Sequence, residues 1–446
     1  MTKSPTTDYR LPPTDYRLPT TDPIAQHAHY CGKIQIAPKV PVTSTADWAT
    51  WYTPGVAEPC RAIHADPEQV WELTNRGNTI AIVSDGTRVL GLGDIGPKAA
   101  LPVMEGKALI FKLLGGVDAI PLVLDARDPE TLIATVRALA PGFGGINLED
   151  IAQPKCFGIL ERLRAELDIP VWHDDQQGTA TVVLAAVLNA LRLVGKSLPQ
   201  VKIAMLGMGA ANVATYRLLK AAGATPAAII ACDEHGTLHP GRNDLEAQAE
   251  IAPQWAICQE SNAELVVGGP KAAIRGADVL LAFSRPGPNV LLPEWVALMA
   301  VEAIVIAGAN PTPEIWPAEA HAAGARIVGT GRSDFPNQVN NSLAFPGIFR
   351  GVLDVQARAI TDTMAVVAAE ELARCAELRG LREDHILPTM DEPEPPLRLA
   401  VAVGLAAQAE GLARRPGTAE ELRARAERQM RGTTAVSTAK SGYCRA

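Results

Sequence analysis

The sequence predicts an α/β protein: a doubly wound parallel sheet, a smaller α/β unit before it and helices after it. Three observations carry the prediction. Short apolar strands alternate with helical stretches along most of the 446 residues. A glycine-rich turn joins one such strand to a helix at Gly207–Asn212. Ala, Leu and Val are abundant, whereas aromatic residues make up only 4%, a balance that suits α/β layers.

Taken in order, the chain opens with a seven-residue duplication, residues 7–13 and 14–20. Units this short and Pro-rich cannot bury a core, so residues 1–27 are expected to be a disordered tail. A first series follows. Thr79–Val83 and Ala119–Leu124 read as strands, and Val103–Leu114 and Pro129–Ala140 as helices. Between Gln176 and Val194 a helix apolar on nearly every side is expected to pack in several directions. The second series has strands at Val201–Leu206, Ala227–Ala231, Asp278–Ala282, Ala303–Ile306 and Ala325–Val328, most of them separated by helices. Beyond Thr361 come Ala- and Glu-rich helix, the Pro-rich stretch 388–396, a charged helix and a Ser/Thr-rich tail. The expected division is 1–27, 28–165, 166–360 and 361–446.

Composition excludes several function classes. With 41 Lys+Arg against 49 Asp+Glu, the net charge of −8 argues against a nucleic-acid surface. No apolar run is long enough to span a bilayer, and the N-terminus lacks the apolar core of a signal peptide, so a cytoplasmic enzyme is expected. The seven cysteines are scattered and never in CxxC spacing, which fits reduced thiols better than disulfides or zinc.

Gly207-Met-Gly-Ala-Ala-Asn212 follows an apolar strand and opens the helix Val213–Ala222. There Gly207 and Gly209 let backbone approach a pyrophosphate, and the helix N-terminus supplies N–H groups. Asn212 takes the third position of the motif, and Asp233 ends the next strand where an acid would accept a ribose diol. Asp233 favours NAD over NADP, because it repels a 2′-phosphate. A plain strand-to-helix turn without nucleotide stays open at this point.

Two acidic pairs follow short strands: Glu149-Asp150 after Gly144–Leu148, and Asp174-Asp175 after Pro170–His173. Acids at strand C-termini point into the ligand crevice, and clustered carboxylates need a cation or base to offset them. Hard oxygen donors without Cys pairs suit Mg²⁺ or Mn²⁺. Each pair also fits as the cap of the helix after it. Lys107 ends Pro102-Val-Met-Glu-Gly-Lys and enters an apolar helix. Partial burial is expected to lower its pKa and make it a general base, with Asp174 holding it. Tyr52 lies in a Pro-Gly turn, Tyr52-Thr-Pro-Gly-Val56; a lone Tyr is most often core or interface.

In this order the pieces resemble the malic enzyme family. The matching segments include Gly32-Lys-Ile, Tyr52–Pro59, Ser84-Asp-Gly-Thr87, Leu90–Pro97, Pro102–Lys107, Ile146–Ile151, His173–Ala180, Ala309–Glu314 and Val339–Gly347. The resemblance covers roughly residues 28–405 and implies a Rossmann-type NAD-binding unit behind an N-terminal substrate and metal unit. It implies oxidative decarboxylation of L-malate to pyruvate and CO₂, with NAD (NADP also possible) and Mg²⁺ or Mn²⁺. Glu149, Asp150 and Asp175 would hold the cation, Lys107 with Asp174 would be the base, and Tyr52 would protonate carbon 3. Asn310 and Asn341 would bind substrate carboxylate and cofactor amide, and Arg88 would grip malate. A homodimer or larger homo-oligomer is implied. The alternatives are a malolactic-type decarboxylase without net redox change, and an NAD-binding module without turnover. The chain departs from the usual pattern at Asn212, at Lys98 and Leu101, and at Trp48–Trp51.

Overall fold

The computed structural model describes residues 21–248 and 253–438. The duplicated heptads lie outside the described residues. Residues 23–27, expected within the tail, begin the helix Pro23–Tyr30; Pro23 opens it and the Asp22 carboxylate caps it.

Two parallel sheets organise the rest. The first contains β1 (Thr79–Ser84), β2 (Asp118–Val123), β3 (Gly145–Leu148) and β4 (Val171–His173), in the order β2-β1-β3-β4. Every residue of β1, β3 and β4 is buried, as strands covered on both faces must be. This sheet runs through residue 173, past the boundary expected at 165. The second holds β5 (Ile203–Leu206), β6 (Ile229–Asp233), β7 (Gly236–Thr237), β8 (Val279–Ala282), β9 (Ala303–Ala307) and β10 (Ala325–Thr330). Its order is β10-β9-β8-β5-β6-β7, with only β7 antiparallel. The chain leaves β5 to one side for β6 and returns to the other side for β8, so the β5/β8 junction is the switch point where such sheets bind ligands.

Two differences from the expected elements have local causes. The helix expected at Val103–Leu114 spans Gly96–Gly115. Pro97 starts it at a position that needs no N–H, and Pro102 is absorbed inside it. Lys107 therefore sits in the middle of a helix rather than near its start. β5 and β6 each begin two residues later than expected, because the Pro-containing turns Leu198–Gln200 and Pro226–Ala228 lead into them.

The helix Thr179–Leu193 is buried along most of its length. It packs against Ala210–Ala221 and Asp362–Leu378. Phe345–Asp354 and Ala419–Thr438 return to pack on Gly96–Gly115, where Phe111 stacks on Phe345 and Phe349 with centroids 4.5 and 5.2 Å apart. Among the described residues no helix is long and apolar enough to cross a membrane, and no disulfide joins a cysteine.

Candidate active site

The sheet register brings the two acidic pairs together. Leu148 lies opposite His173, the last pair of the β3–β4 ladder, so both chains turn out of the sheet at the same level. After β4 the backbone makes one π-helical turn, Asp174–Gly178, which aims consecutive carboxylates at different partners. Asp174 folds back over Gly178: a Cβ there would lie 1.8 Å from Asp174 Oδ1, so only glycine fits. Neither pair caps a helix, since the N-cap positions are Pro154 and Gly178.

Lys107 reaches the pairs from its helix. Its Nζ donates to Asp174 Oδ2, lies 3.2 Å from Glu149 Oε1 and donates to Asn341 Oδ1 at 3.1 Å. The Phe345 ring centroid stands 4.6 Å from the ammonium. Trp172 Nε1–H donates to Asp174 Oδ1 at 3.1 Å, and the Asn147 amide donates to Glu149 Oε2 at 3.0 Å. On the far side, Asp175 Oδ2 accepts the Asp150 N–H at 2.8 Å and meets His173 Nε2 at 3.0 Å. Gln176 Nε2 lies 2.6 Å from His173 Nδ1 and steadies the ring.

These contacts set the charges. Burial alone would draw the Lys107 pKa down, as expected from the sequence, but Asp174 and Glu149 outweigh it and the net shift is upward. The expectation of a lowered pKa considered burial without the second carboxylate. Burial raises Glu149 and Asp174, and burial with the Asp175 charge pushes Asp150 up to about 8. Burial is the largest single influence on Asp175 and pushes it up, but the His173 hydrogen bond and charge, the Lys107 charge and the Asp150 N–H together outweigh it and hold it low.

Glu149, Asp150 and Asp175 each offer an oxygen within 4.8 Å of the others. Asp150 Oδ2 is buried and has no hydrogen-bond partner among the described residues. A buried carboxylate oxygen left bare beside two further carboxylates is costly unless a cation meets it, and three hard donors fit Mg²⁺ or Mn²⁺.

At the second sheet, Gly207 has φ +81°, and a Cβ on it would stand 2.5 Å from Ser284 Cα, where the loops after β5 and β8 cross. Gly209 takes the N-cap position of Ala210–Ala221, which has no side-chain cap, so the first-turn N–H groups stay open to an anion. Asn212 corrects an expectation. It is fully buried, and its amide donates to the carbonyls of Leu206 at 3.0 Å and Gly207 at 2.9 Å. It shapes the turn from inside rather than facing a cofactor.

Asp233 does end β6, but its carboxylate is engaged. Arg242 holds both oxygens, at 3.0 and 2.7 Å, and the His235 N–H adds a third bond at 2.8 Å. Arg242 also grips Asp244, at 2.8 and 2.6 Å, so the acid on which the NAD preference was argued shares one guanidinium with a second carboxylate. Asn310 is exposed in the loop after β9, where its carbonyl and Pro311 press against Gly91 of the first unit. Behind it lies Glu314, wholly buried, whose carboxylate accepts N–H bonds from Ser284 at 2.8 Å and Ala309 at 3.1 Å.

Arg88 donates its backbone N–H to the Asp150 carbonyl at 3.1 Å, while its exposed guanidinium rests on the Leu90 carbonyl. Tyr52 stands apart. It ends the helix Asp47–Trp51, is 68% exposed and makes no phenolic hydrogen bond among the described residues. Sequence reasoning did not single out Asn147, His173, Phe345 or Glu314. All four stand within two residues of a chosen motif residue or inside a quoted motif, and that adjacency was the available signal.

Residues 31–164 match the malic enzyme N-terminal domain, and residues 176–262 and 324–409 match the malic enzyme NAD binding domain. The chain is 48% identical over 388 residues to the NAD-dependent malic enzyme of Geobacillus stearothermophilus, an alignment spanning 87% of this chain and 79% of that one. It is 46% identical over 404 residues to the bifunctional malic/malolactic enzyme of Bacillus subtilis, spanning 89% and 96%. The crystal structure of Entamoeba histolytica malic enzyme superposes with a TM-score of 0.90 at 44% identity, over 93% of this chain and 86% of that one. In both sheets and along most of its length, the chain belongs to the malic enzyme family.

Proposed function

We propose that the chain converts L-malate and NAD(P)⁺ to pyruvate, CO₂ and NAD(P)H, with a divalent cation. The observation that carries this reading is the buried Lys107 amine held by Asp174 and Glu149, beside an acid triad with a bare oxygen. Glu149, Asp150 and Asp175 would hold the cation. When bound, it supplies the Lewis acidity that draws charge off the substrate hydroxyl and carboxylate, and it offsets the acidic field that keeps Lys107 protonated. The dinucleotide, when bound, supplies the hydride acceptor at carbon 2.

The chain's own residues then handle protons. Lys107 takes the hydroxyl proton as hydride leaves carbon 2, and the resulting ammonium is stabilised by Asp174, Glu149 and Asn341. Carbon 4 leaves as CO₂, and Tyr52 donates a proton to carbon 3; the proton taken by Lys107 restores the phenol. Arg88 and Asn341 serve the substrate carboxylates. Asn310 serves the cofactor amide at the rim where the units touch. Gly207 and Gly209 admit the pyrophosphate, and Arg242 beside Asp233 offsets part of the repulsion toward a 2′-phosphate.

Tyr52 calls for a second copy of the chain. The arm around it exposes Ile24, Ile36, Trp48 and Trp51 as well as Tyr52 itself, an apolar surface that fits a homodimer interface. We place this homo-oligomer in the cytoplasm, in line with its reduced thiols.

One coupled assay tests the function: purified chain, malate and Mn²⁺ with NAD⁺ or NADP⁺. Pyruvate and reduced nucleotide in equal amounts are expected. Because the B. subtilis relative is named for both activities, a malolactic reading stands second. Lactate without net nucleotide reduction would establish that reading instead.

A further inference from the structure

The segment Ser84-Asp-Gly-Thr87 has no task in the chemistry above, yet it joins the two halves of the site. It leaves the C-terminal end of β1. On one side the Gly86 carbonyl accepts N–H bonds from Ile95 at 3.2 Å and Gly96 at 3.1 Å, the start of the Lys107 helix. On the other, Arg88 N–H holds the Asp150 carbonyl at 3.1 Å, and Thr87 Oγ1 accepts the Ala152 N–H at 2.9 Å. The Thr87 hydroxyl donates its own proton to Asp85 Oδ1 at 2.6 Å. Asp85 is buried, and its second oxygen is held by Lys155 Nζ, which also donates to the Arg127 carbonyl at 3.1 Å.

Between the two clamps Asp150 has φ +54°. A residue with a side chain keeps that left-handed conformation only where its surroundings fix it. The conformation matters here because Asp150 carries the bare oxygen of the acid triad.

We propose that Thr87, backed by Asp85 and Lys155, is a positioning residue for Asp150. Its hydroxyl pins the chain two residues beyond Asp150 while Arg88 pins Asp150 itself, and together they keep the carboxylate turned toward Glu149 and Asp175. The proposal rests on the cation reading of that triad.

Thr87→Val keeps the shape of the side chain and removes only the hydroxyl, whereas Thr87→Ser keeps the hydroxyl. Mn²⁺ alone is titrated into the full chain without malate or nucleotide, and free Mn²⁺ is followed by electron paramagnetic resonance. NAD⁺ affinity and melting temperature serve as checks on folding. Thr87→Val is expected to weaken Mn²⁺ binding by about 10–100-fold, the range for lost outer-shell partners of metal ligands, and Thr87→Ser to stay within about threefold. NAD⁺ affinity should hold in both. Thr87→Val binding Mn²⁺ as tightly as the wild type overturns the proposal and leaves the triad intact as a cation site. Equal loss in Thr87→Ser overturns it as well. A wild-type chain that binds no Mn²⁺ overturns the cation reading and this proposal with it. Should Thr87→Val not fold, Lys155→Met reads the same latch one contact further back: a severalfold weaker affinity supports the proposal, and an unchanged one overturns it.

Discussion

Lys107 is where single atoms decide the most. Its three polar neighbours, Asp174, Glu149 and Asn341, come from three separate parts of the chain, and the Phe345 ring closes a further side. Lys107→Ala removes the proposed proton acceptor without touching the nucleotide turn. Turnover on malate should fall by about 10²–10⁴-fold, the usual worth of a positioned acid or base, with NAD⁺ affinity unchanged by fluorescence titration. Gly178→Ala would set a methyl group against Asp174. It should cost about 1–3 kcal/mol in urea unfolding, the range for overpacked interiors, and reduce turnover as Asp174 leaves Lys107.

Glu314 carries a pH dependence of its own. Burial lifts its carboxyl from 4.5 in the open chain to about 7. Between those values the folded chain binds more protons there than the unfolded one, so stability falls as pH rises. The contribution is fully present below about 4.5 and is lost as pH passes about 7. Unfolding free energies measured from pH 5 to 8 should therefore decline for the wild type relative to Glu314→Gln, which carries no ionisable group there. Parallel curves would show that Glu314 is not the source.

At the scale of elements, the glycine turn after β5 depends on a residue hidden beneath it. Asn212 ties the ends of β5 and β8 through Leu206, Gly207 and Leu281 carbonyls. Asn212→Ala leaves these without their donor and should cost about 1–3 kcal/mol of stability. NAD⁺ affinity should fall with it as the turn loosens, which calorimetry can measure. The strands themselves were legible, because parallel strands buried on both faces read as plain apolar runs. The acidic pairs were legible for a related reason: carboxylates directly after such runs have few places to go but the sheet's open edge. Helix starts were harder. Pro102 looked like a beginning and is an interior residue, since Pro97 had already begun the helix. Asp233 shows a deeper limit. Its place at the end of β6 is written in the strand pattern, but its partner Arg242 is reached through a loop whose path no periodicity describes.

At the scale of the molecule, Tyr52 was named from a motif and stands in the structure without a phenolic partner among the described residues. A single chain's contacts do not unite Tyr52 with Lys107, so the proposed dimer makes a quantitative forecast. Tyr52→Phe and Lys107→Ala chains, each inactive alone, should regain activity when unfolded and refolded together if the phenol acts across the interface. The yield should approach about a quarter of wild type, the share that random pairing into twofold dimers gives. No recovery on mixing, with dimers confirmed by light scattering, would mean that Tyr52 serves its own chain or none.

The contact between Lys107 and Asn341 spans 234 residues of sequence. The amine is rooted in the first sheet's layer, while the amide that steadies it and the ring beside it arrive only after the tenth strand is laid down. A truncated product ending short of that point would keep Lys107, Asp174 and Glu149, yet lack the amide and the ring that complete the amine's surroundings. The setting of the amine is therefore complete only when the chain has been extended through Phe345.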